Sequence, residues 1–412
     1  SIQIMNTCIF EDLFITRLAP INFLRHTSQL ICGTDTLLEK IANFFPAKTP
    51  LTLHSRKYIA PYLTEKFPKA AINMLAEGEC IFFNSRVVFK AEELKAITKL
   101  FKKENNTAIL QNKVIIAFHL TKEKVQQYKE IVNPDDDNLI SYADVEWLGL
   151  NKIESDSYRL INYPSDLILY NEEQLNYDLN LKVKGKKKLQ LGKKCSIGKN
   201  VVFDTSAGRI LIGDNTTIEP FVYIKGPVYI GEGSTIRAGS QLYGPLRIGG
   251  NCKVSGEITC SILHSYVNKQ HYGFLGHSYL CEWVNLGAGT TTSNLKNNYS
   301  KIVLNINDEK INTNSIFLGS IIGDHTKTGI QTMLNTGTMV GISSNLYGAG
   351  YHNKRINSFS WEDASNKEVI SYEIEKAIST ARISMSRRNV SMTEAYEKML
   401  RYVYESKDEV LI

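Results

Sequence analysis

From Ile212 onward, aliphatic residues return every six positions: Ile212, Ile218, Ile224, Ile230, Ile236, Leu242, Ile248 and Val254 stand in strict register. This period matches neither the 3.6 of an α-helix nor the 2 of an amphipathic strand. It fits a coil of three short strands, roughly 18 residues per turn, in which each aliphatic side chain points to the axis and stacks on the one a turn away. Glycine often follows the aliphatic residue, as at Ile212-Gly213, Ile230-Gly231 and Ile248-Gly249, where it permits a tight corner. One coil cannot bury its own inner face, so a stack of coils must make the core. The register extends back through Leu191, Ile197 and Phe203 after a three-residue slip at Ala207-Gly208-Arg209. It returns in Phe274, Leu280, Leu286 and Thr292, and again in Ile316, Ile322, Thr328, Leu334, Val340 and Leu346. A parallel β-helix is expected from about Leu191 to Leu346.

Two interruptions stand out. The stretch between Cys260 and Phe274 shifts the register by two, and it contains Ser265 to Gly273. Residues Asn294 to Ser315 leave the register for longer, and the alternation of Ile302, Leu304 and Ile306 predicts a hairpin or extruded loop. Loops that break a regular scaffold are where function concentrates.

The first ~180 residues read as mixed α/β. Strands are expected at Cys8-Ile9-Phe10, Leu51–His54, Glu79–Asn84 and Val114–Phe118. Helices are expected at Thr36–Phe45, Ile59–Phe67, Ala91–Lys102 and Lys122–Val132. That alternation predicts a parallel sheet with crossover helices. Asn133 to Asn138 reads as a solvated loop. The lysine run of Lys182, Lys184, Lys186, Lys187, Lys188, Lys193 and Lys194 reads as a solvated junction, the other reading being an anion-attracting rim. The expected division is 1–180 for the α/β domain, 181–358 for the β-helix and 359–412 for a helical tail. In that tail Val369–Ala381 and Thr393–Tyr404 have helical spacing; they read as two helices packed on the coil or on a neighbouring subunit, with capping of the open coil end as the plainest role.

Composition narrows the function. The chain is 43% hydrophobic and 22% charged with a net charge of +6, which points to neither nucleic acid nor membrane. No run of 18 apolar residues predicts a membrane span. Ser1 to Phe10 lacks a basic stretch followed by an apolar one, so no secretory leader is expected unless one has already been removed, and a cytoplasmic location is expected. Seven scattered cysteines without a CxxC fit reduced thiols packed as small hydrophobes.

The richest segment is His271 to Asn294, HYGFLGHSYLCEWVNLGAGTTTSN. Transfer of an acetyl group from a thioester to an amine needs a base near neutral pKa, which a histidine supplies. It also needs donors for the developing oxyanion, which backbone N–H groups of a glycine-rich turn can provide. His271 and the block Gly287-Ala288-Gly289-Thr290 are those residue types, and Asn285 and Asn294 add amides for hydroxyls or an acyl chain. His271, Leu275-Gly276, Asn285, Gly287 to Thr290 and Asn294 keep every spacing of the acetyltransferase motif found in the bifunctional enzymes that make UDP-N-acetylglucosamine. The segment therefore resembles the left-handed β-helix, hexapeptide-repeat half of that family. Most of the chain is also similar to a bacterial sugar nucleotidyltransferase family, through Phe10-Glu11-Asp12, Gly33, Asn268 to His271, Gly319 to Lys327 and Asn357 to Trp361.

The resemblance implies an α/β nucleotidyltransferase-like domain followed by a left-handed parallel β-helix and terminal helices. It implies acetyl-CoA and an amino-sugar phosphate as substrates, and a homotrimer with the site between subunits. Carried over residue by residue, it gives His271 as general base, Phe274, Asn285 and Lys301 on the acceptor, and Ala288, Gly289, Asn294 and Leu295 on the coenzyme. The sequence departs from the motif at Phe274, where the family has tyrosine, and at His277, where it has aspartate; the lysine after the last asparagine is matched loosely, by Lys296 or Lys301.

In the N-terminal half no glycine-rich phosphate loop follows the first strand. Asn84-Ser85-Arg86 stands where the related fold places its metal aspartate, so Mg²⁺ is implied only if nucleotidyl transfer is retained. Asp12, Arg17, Arg25 and Lys40 are the candidate nucleotide-binding residues, with ordinary surface charge as the alternative, and no resident metal is expected. Two other functions stay open. One is a zinc hydratase of the γ-carbonic-anhydrase type, for which His264, His271 and His277 have the wrong spacing. The other is a non-catalytic nucleotide-sugar binding or scaffold protein.

Overall fold

The computed structural model describes residues 5–131, 137 and 139–406. The chain forms two compact units: Ser1–Leu18, Leu24–Leu30 and Asp35–Asn162 make the first, and Ala19–Phe23, Ile31–Thr34 and Tyr163–Ile412 the second.

The first unit is built on a seven-stranded sheet in the order Ala71–Ile72, Leu51–His54, Asn6–Phe10, Cys80–Asn84, Val114–Leu120, Thr107–Gln111, Asn151–Glu154. Asn6–Phe10 pairs in parallel with the strands on both its sides. Val114–Leu120 is antiparallel to both of its neighbours, so the sheet is mixed, not parallel throughout. The unforeseen strand Thr107–Gln111 turns into Val114 through Asn112 and Lys113, both at positive φ, the geometry of a two-residue hairpin turn whose twist matches the strands. Helix Ala91–Phe101 buries Leu94, Ile97 and Phe101, one stripe at helical spacing. In the core Phe82 stacks on Phe118 with centroids 4.3 Å apart. Of the expected loop at 133–138, only Asp137 falls within the described residues, and helix Lys122–Ile131 is described up to Ile131.

The second unit is the β-helix. Leu191, Ile212, Ile230 and Ile248 stack strand on strand in parallel. Three ladders run along it. A first face of nine strands begins at Leu189–Leu191, a second of ten at Ser196–Ile197, and a third of five at Val202–Asp204. Ile212, Ile218, Ile224, Ile230, Ile236, Leu242, Ile248 and Val254 are all buried in one continuous core. Leu191 and Ile197 keep 42% and 37% of their surface exposed, because the first coil has none beneath it to cover its inner side.

The six-residue count fails at two expected positions. Leu275, not Phe274, enters the core, and Ile316 is 37% exposed. The coil before Leu275 is shortened: Ile248 pairs with Leu263, fifteen residues on, instead of eighteen. Asn294 to Ser315 does leave the coil, and Val303–Ile306 pairs antiparallel with Glu309–Asn312.

Helix Pro164–Lys182 belongs to this unit and was not foreseen. The tail also differs from its reading. Glu368–Ser371 is a strand paired with Ser360–Asp363, and helices begin only at Ile374 and Glu394. They pack along the coil: Arg388 donates to the Asn251 carbonyl at 2.9 Å, Tyr396 Oη is 2.7 Å from His325 Nε2, and Tyr404 meets Phe359 beside the last coil strand with ring centroids 5.1 Å apart. The lysines from Lys184 to Lys194 are exposed, as a solvated junction would be. All seven cysteines are free thiols. No described helix is long and apolar enough to cross a membrane.

Candidate active site at a corner of the coil

The corner between the second and third faces carries both halves of the motif. Strand Asn268–Lys269 ends in the loop that holds His271, and strand Asn285–Leu286 ends in Gly287 to Thr290 one coil further on. The two are docked through backbone: Gly289 N–H donates to the Tyr272 carbonyl at 2.9 Å. Gly273, at φ +128°, lies so close that a Cβ there would fall 2.2 Å from the Thr290 carbonyl oxygen. From the next coil Gln331 N–H donates to the Ala288 carbonyl at 2.7 Å, and its side-chain amide donates to the Tyr272 hydroxyl.

This docking uses most of the donors expected for an oxyanion. Gly287 N–H goes to Thr328, Gly289 N–H to Tyr272 and Thr290 N–H to the Gly287 carbonyl. Of the four, only the Ala288 N–H has no acceptor among the described residues. His271 is exposed, and its imidazole makes no hydrogen bond within the described chain.

Beneath His271 lies a residue that period counting passed over. Lys269 takes a core position in the column of Val254 and is 1% exposed. Its ammonium donates to the carbonyls of His271 and Ser255, each at 3.0 Å, which ties the loop to the coil. Burial pushes its pKa down from 10.5 to about 8. A lysine where the register calls for an aliphatic residue was the available signal.

The other expected residues separate. A Cβ at Gly276 would meet both Asn294 Nδ2, at 2.5 Å, and the Phe274 ring, at 2.6 Å, so Phe274 and Asn294 share one spot on the third face. Asn294 Nδ2 also sits 2.9 Å from Nδ1 of His277, whose pKa burial lowers to about 4, so the ring is neutral and accepts that bond. Asn285 lies on the second face, accepting from Asn268 at 2.8 Å. Leu295 bridges to Phe317. Lys301 sits by the hairpin and donates to Asn314 at 3.2 Å; no hydrogen bond links it to Phe274, Asn285 or Asn294. His264 is buried with Nε2 2.7 Å from Tyr279 Oη, so of the three histidines weighed for zinc, His264 and His277 have different partners and the His271 imidazole has none among the described residues.

In the first unit Asp12 is fully engaged. Arg86 holds it bidentately, Nε to Oδ1 at 2.8 Å and Nη2 to Oδ2 at 2.6 Å, and Asn84 donates to the same carboxylate. Its neighbour Glu11 is clamped in the same way by Arg56 at 3.0 Å. Burial raises the Glu11 pKa, but the Arg56 charge and its hydrogen bonds outweigh that and hold it near 2. Arg17 stacks over Phe14, Arg25 is buried, and Lys40 lies in the last turn of Leu37–Ala42. No described group of three acidic, histidine or cysteine side chains is arranged to hold a metal. With Asp12 paired and Asn84 in the other position, these residues do not fit a Mg²⁺ ion. The missed Arg56 and Arg86 had a signal: the strands flanking Asn6–Phe10 end in His54-Ser55-Arg56 and Asn84-Ser85-Arg86, in register with Phe10-Glu11-Asp12.

Fold and corner together define an architecture, a nucleotidyltransferase-like α/β unit followed by a left-handed parallel β-helix of hexapeptide repeats. The comparisons give the particular relatives. Residues 7–187 match the family model described as sugar nucleotidyl transferase, and residues 209–244 match that of the bacterial transferase hexapeptide (six repeats). The chain is 33% identical over 208 residues to the bifunctional protein GlmU of Methanococcus aeolicus, covering 50% of this chain and 46% of that protein. It is 31% identical over 100 residues to the bifunctional sugar-1-phosphate nucleotidylyltransferase/acetyltransferase of Sulfurisphaera tokodaii, covering 24% of this chain and 25% of that protein. The chain thus matches less than half the length of each of these relatives. A solved UDP-N-acetylglucosamine acyltransferase from Campylobacter jejuni superposes with a TM-score of 0.21 at 12% identity, over 53% of this chain and 96% of that one.

Proposed function

We propose that this chain transfers an acetyl group from acetyl-CoA to the amine of an amino-sugar phosphate, in nucleotide-sugar synthesis. The observation that supports it most is the docked corner, where the His271 loop rests on Gly287 to Thr290 through the Gly289–Tyr272 hydrogen bond. In this reading His271 accepts the proton of the attacking ammonium, and the Ala288 N–H faces the thioester oxygen as it gains charge. Asn285 and Phe274 take the acceptor side, and Ala288, Gly289, Asn294 and Leu295 the coenzyme side; Lys301 joins only if the hairpin or a second copy brings it in. The His271 imidazole has no partner among the described residues to orient it, which favours a site completed by a neighbouring copy in a homotrimer. Light scattering on the purified protein tests the trimer, and a monomeric mass would remove it. The first unit, with Asp12 bound to Arg86, is proposed to bind a sugar nucleotide without nucleotidyl transfer.

The test is thiol release from acetyl-CoA with glucosamine-1-phosphate, on wild type and on His271→Ala. A general base contributes on the order of 10²- to 10⁴-fold, so the variant should lose at least a hundredfold in kcat. Turnover unchanged in the variant would remove His271 from the mechanism, and no turnover in wild type with several amino sugars would remove the acetyltransferase reading.

A further inference from the structure

A cavity lies on the outer side of the coil, between its second face and the end of helix Ile374–Ser386. Its volume is about 240 Å³, and Lys253, Arg387 and Arg388 all line it. Lys253 comes from the coil and the two arginines from the residues that close the helix. None of the three has an ion pair among the described residues, and Lys253 and Arg387 have no hydrogen bond from their side chains either. Arg388 donates to the Asn251 carbonyl, which pins the helix end in place. Glu232 and Glu282 act on the Tyr266 hydroxyl, but neither lines the cavity or pairs with these cations.

Arginine near a helix C-terminus has an ordinary role, which is to offset the negative end of the helix dipole. That role does not account for Lys253, which approaches the same space from another element. Three like charges converging on one cavity repel one another unless an anion lies between them. The remaining lining is suited to a polar ring. Asn268 and Asn285 face the cavity, and Asn268 Oδ1 is buried with no hydrogen-bond partner. Trp283, stacked on Tyr266 at 4.2 Å, forms an aromatic wall. The volume is below the roughly 300–1,000 Å³ of sites for drug-sized ligands, which leaves room for a phosphate and one small ring but not for a whole nucleotide or coenzyme.

We infer that this cavity binds the phosphate of a small phosphorylated sugar, with Lys253, Arg387 and Arg388 on the phosphate and Asn268 accepting from a hydroxyl or amino group of the ring. Asn285 belongs both to this cavity and to the proposed acceptor side, so the ligand is the acceptor of the acetyl group. Only that last identification rests on the acetyl-transfer reading; the binding does not.

The test is calorimetric titration of the full chain, without acetyl-CoA, with glucosamine-1-phosphate, inorganic phosphate and glucosamine. Arg387→Ala and Lys253→Ala are used because neither side chain holds the fold through a hydrogen bond, and their melting temperatures confirm that the fold is kept. Glucosamine-1-phosphate and phosphate should bind wild type, glucosamine should bind at least tenfold more weakly, and each variant should lose about tenfold in affinity for both phosphate-bearing ligands. Equal affinity for glucosamine and its phosphate, unchanged affinity in both variants, or no binding of glucosamine-1-phosphate to wild type would overturn the site. Normal binding here beside an inactive wild type would instead count against acetyl transfer alone.

Discussion

At the scale of single residues, the informative ones are charged groups held in places built for apolar side chains. Asp12 and Glu11 each carry a buried carboxylate, and each has a bidentate arginine as its partner. Removing one member of such a pair leaves an uncompensated charge and costs roughly 3–5 kcal/mol, so these residues hold the end of the first strand and are not free to bind a ligand. Lys269 is the opposite case, a buried cation with only carbonyls around its ammonium. Its folded pKa of about 8 lies below the ordinary 10.5, so the folded chain holds this proton less tightly than the unfolded chain does. Below pH 8 both states are protonated and folding bears the full penalty. Between about 8 and 10.5 the folded chain loses the proton first, and stability rises with pH, by at most about 3 kcal/mol. Lys327 is shifted in the same direction, so the comparison must isolate Lys269. Urea denaturation of wild type and Lys269→Met at pH 7 and pH 10 does so. Wild type should gain on the variant at the higher pH, and parallel behaviour would contradict the assignment.

At the scale of elements, the coil is a set of stacked columns, and the site lies where the columns are interrupted. Ile218, Ile236 and Val254 make an aliphatic column into which Lys269 then intrudes, and the loop it anchors carries His271. The corner tolerates no side chain at Gly273, because its φ is +128° and the Thr290 carbonyl fills the space. Gly273→Ala should therefore displace the loop and lower acetyl transfer about tenfold or more while leaving the coil folded, since a misplacement of about 1 Å at a reacting group costs up to a hundredfold. Circular dichroism and thiol release on one preparation check both parts; full activity with an unchanged melting point would show that the loop position does not matter.

At the scale of the whole molecule, the chain does not divide at one point. Ile31–Thr34, early in the sequence, belongs to the second unit. There Ile31 N–H donates to Tyr279 Oη at 3.0 Å, Gly33 N–H to Asn171 at 2.9 Å and Thr34 N–H to Asp178 at 2.8 Å. A fragment beginning at Tyr163 loses these partners and leaves Asn171, Asp178 and Tyr279 short of hydrogen bonds, at about 1–3 kcal/mol for each buried group left unmade. It should melt well below the full chain's second unit in a thermal scan, and an equal melting temperature would show that the segment adds nothing.

The six-residue period alone fixed the coil, because stacking needs an aliphatic side chain at the same place in every turn and nothing else produces that repeat. The spacing from His271 to Asn294 likewise placed the two halves of the motif on successive turns. Residue order could not show which groups those turns leave available. Three of the four N–H groups in Gly287 to Thr290 are taken by neighbours, Lys301 is held by Asn314, and Asp12 is closed by an arginine 74 residues away. Nor could it place Lys253 beside Arg387, 134 positions later, across one cavity. Periodicity is a local property of the chain and is written into the sequence. The pairing of buried charges and the convergence of unpaired ones depend on distances that exist only once the chain has folded.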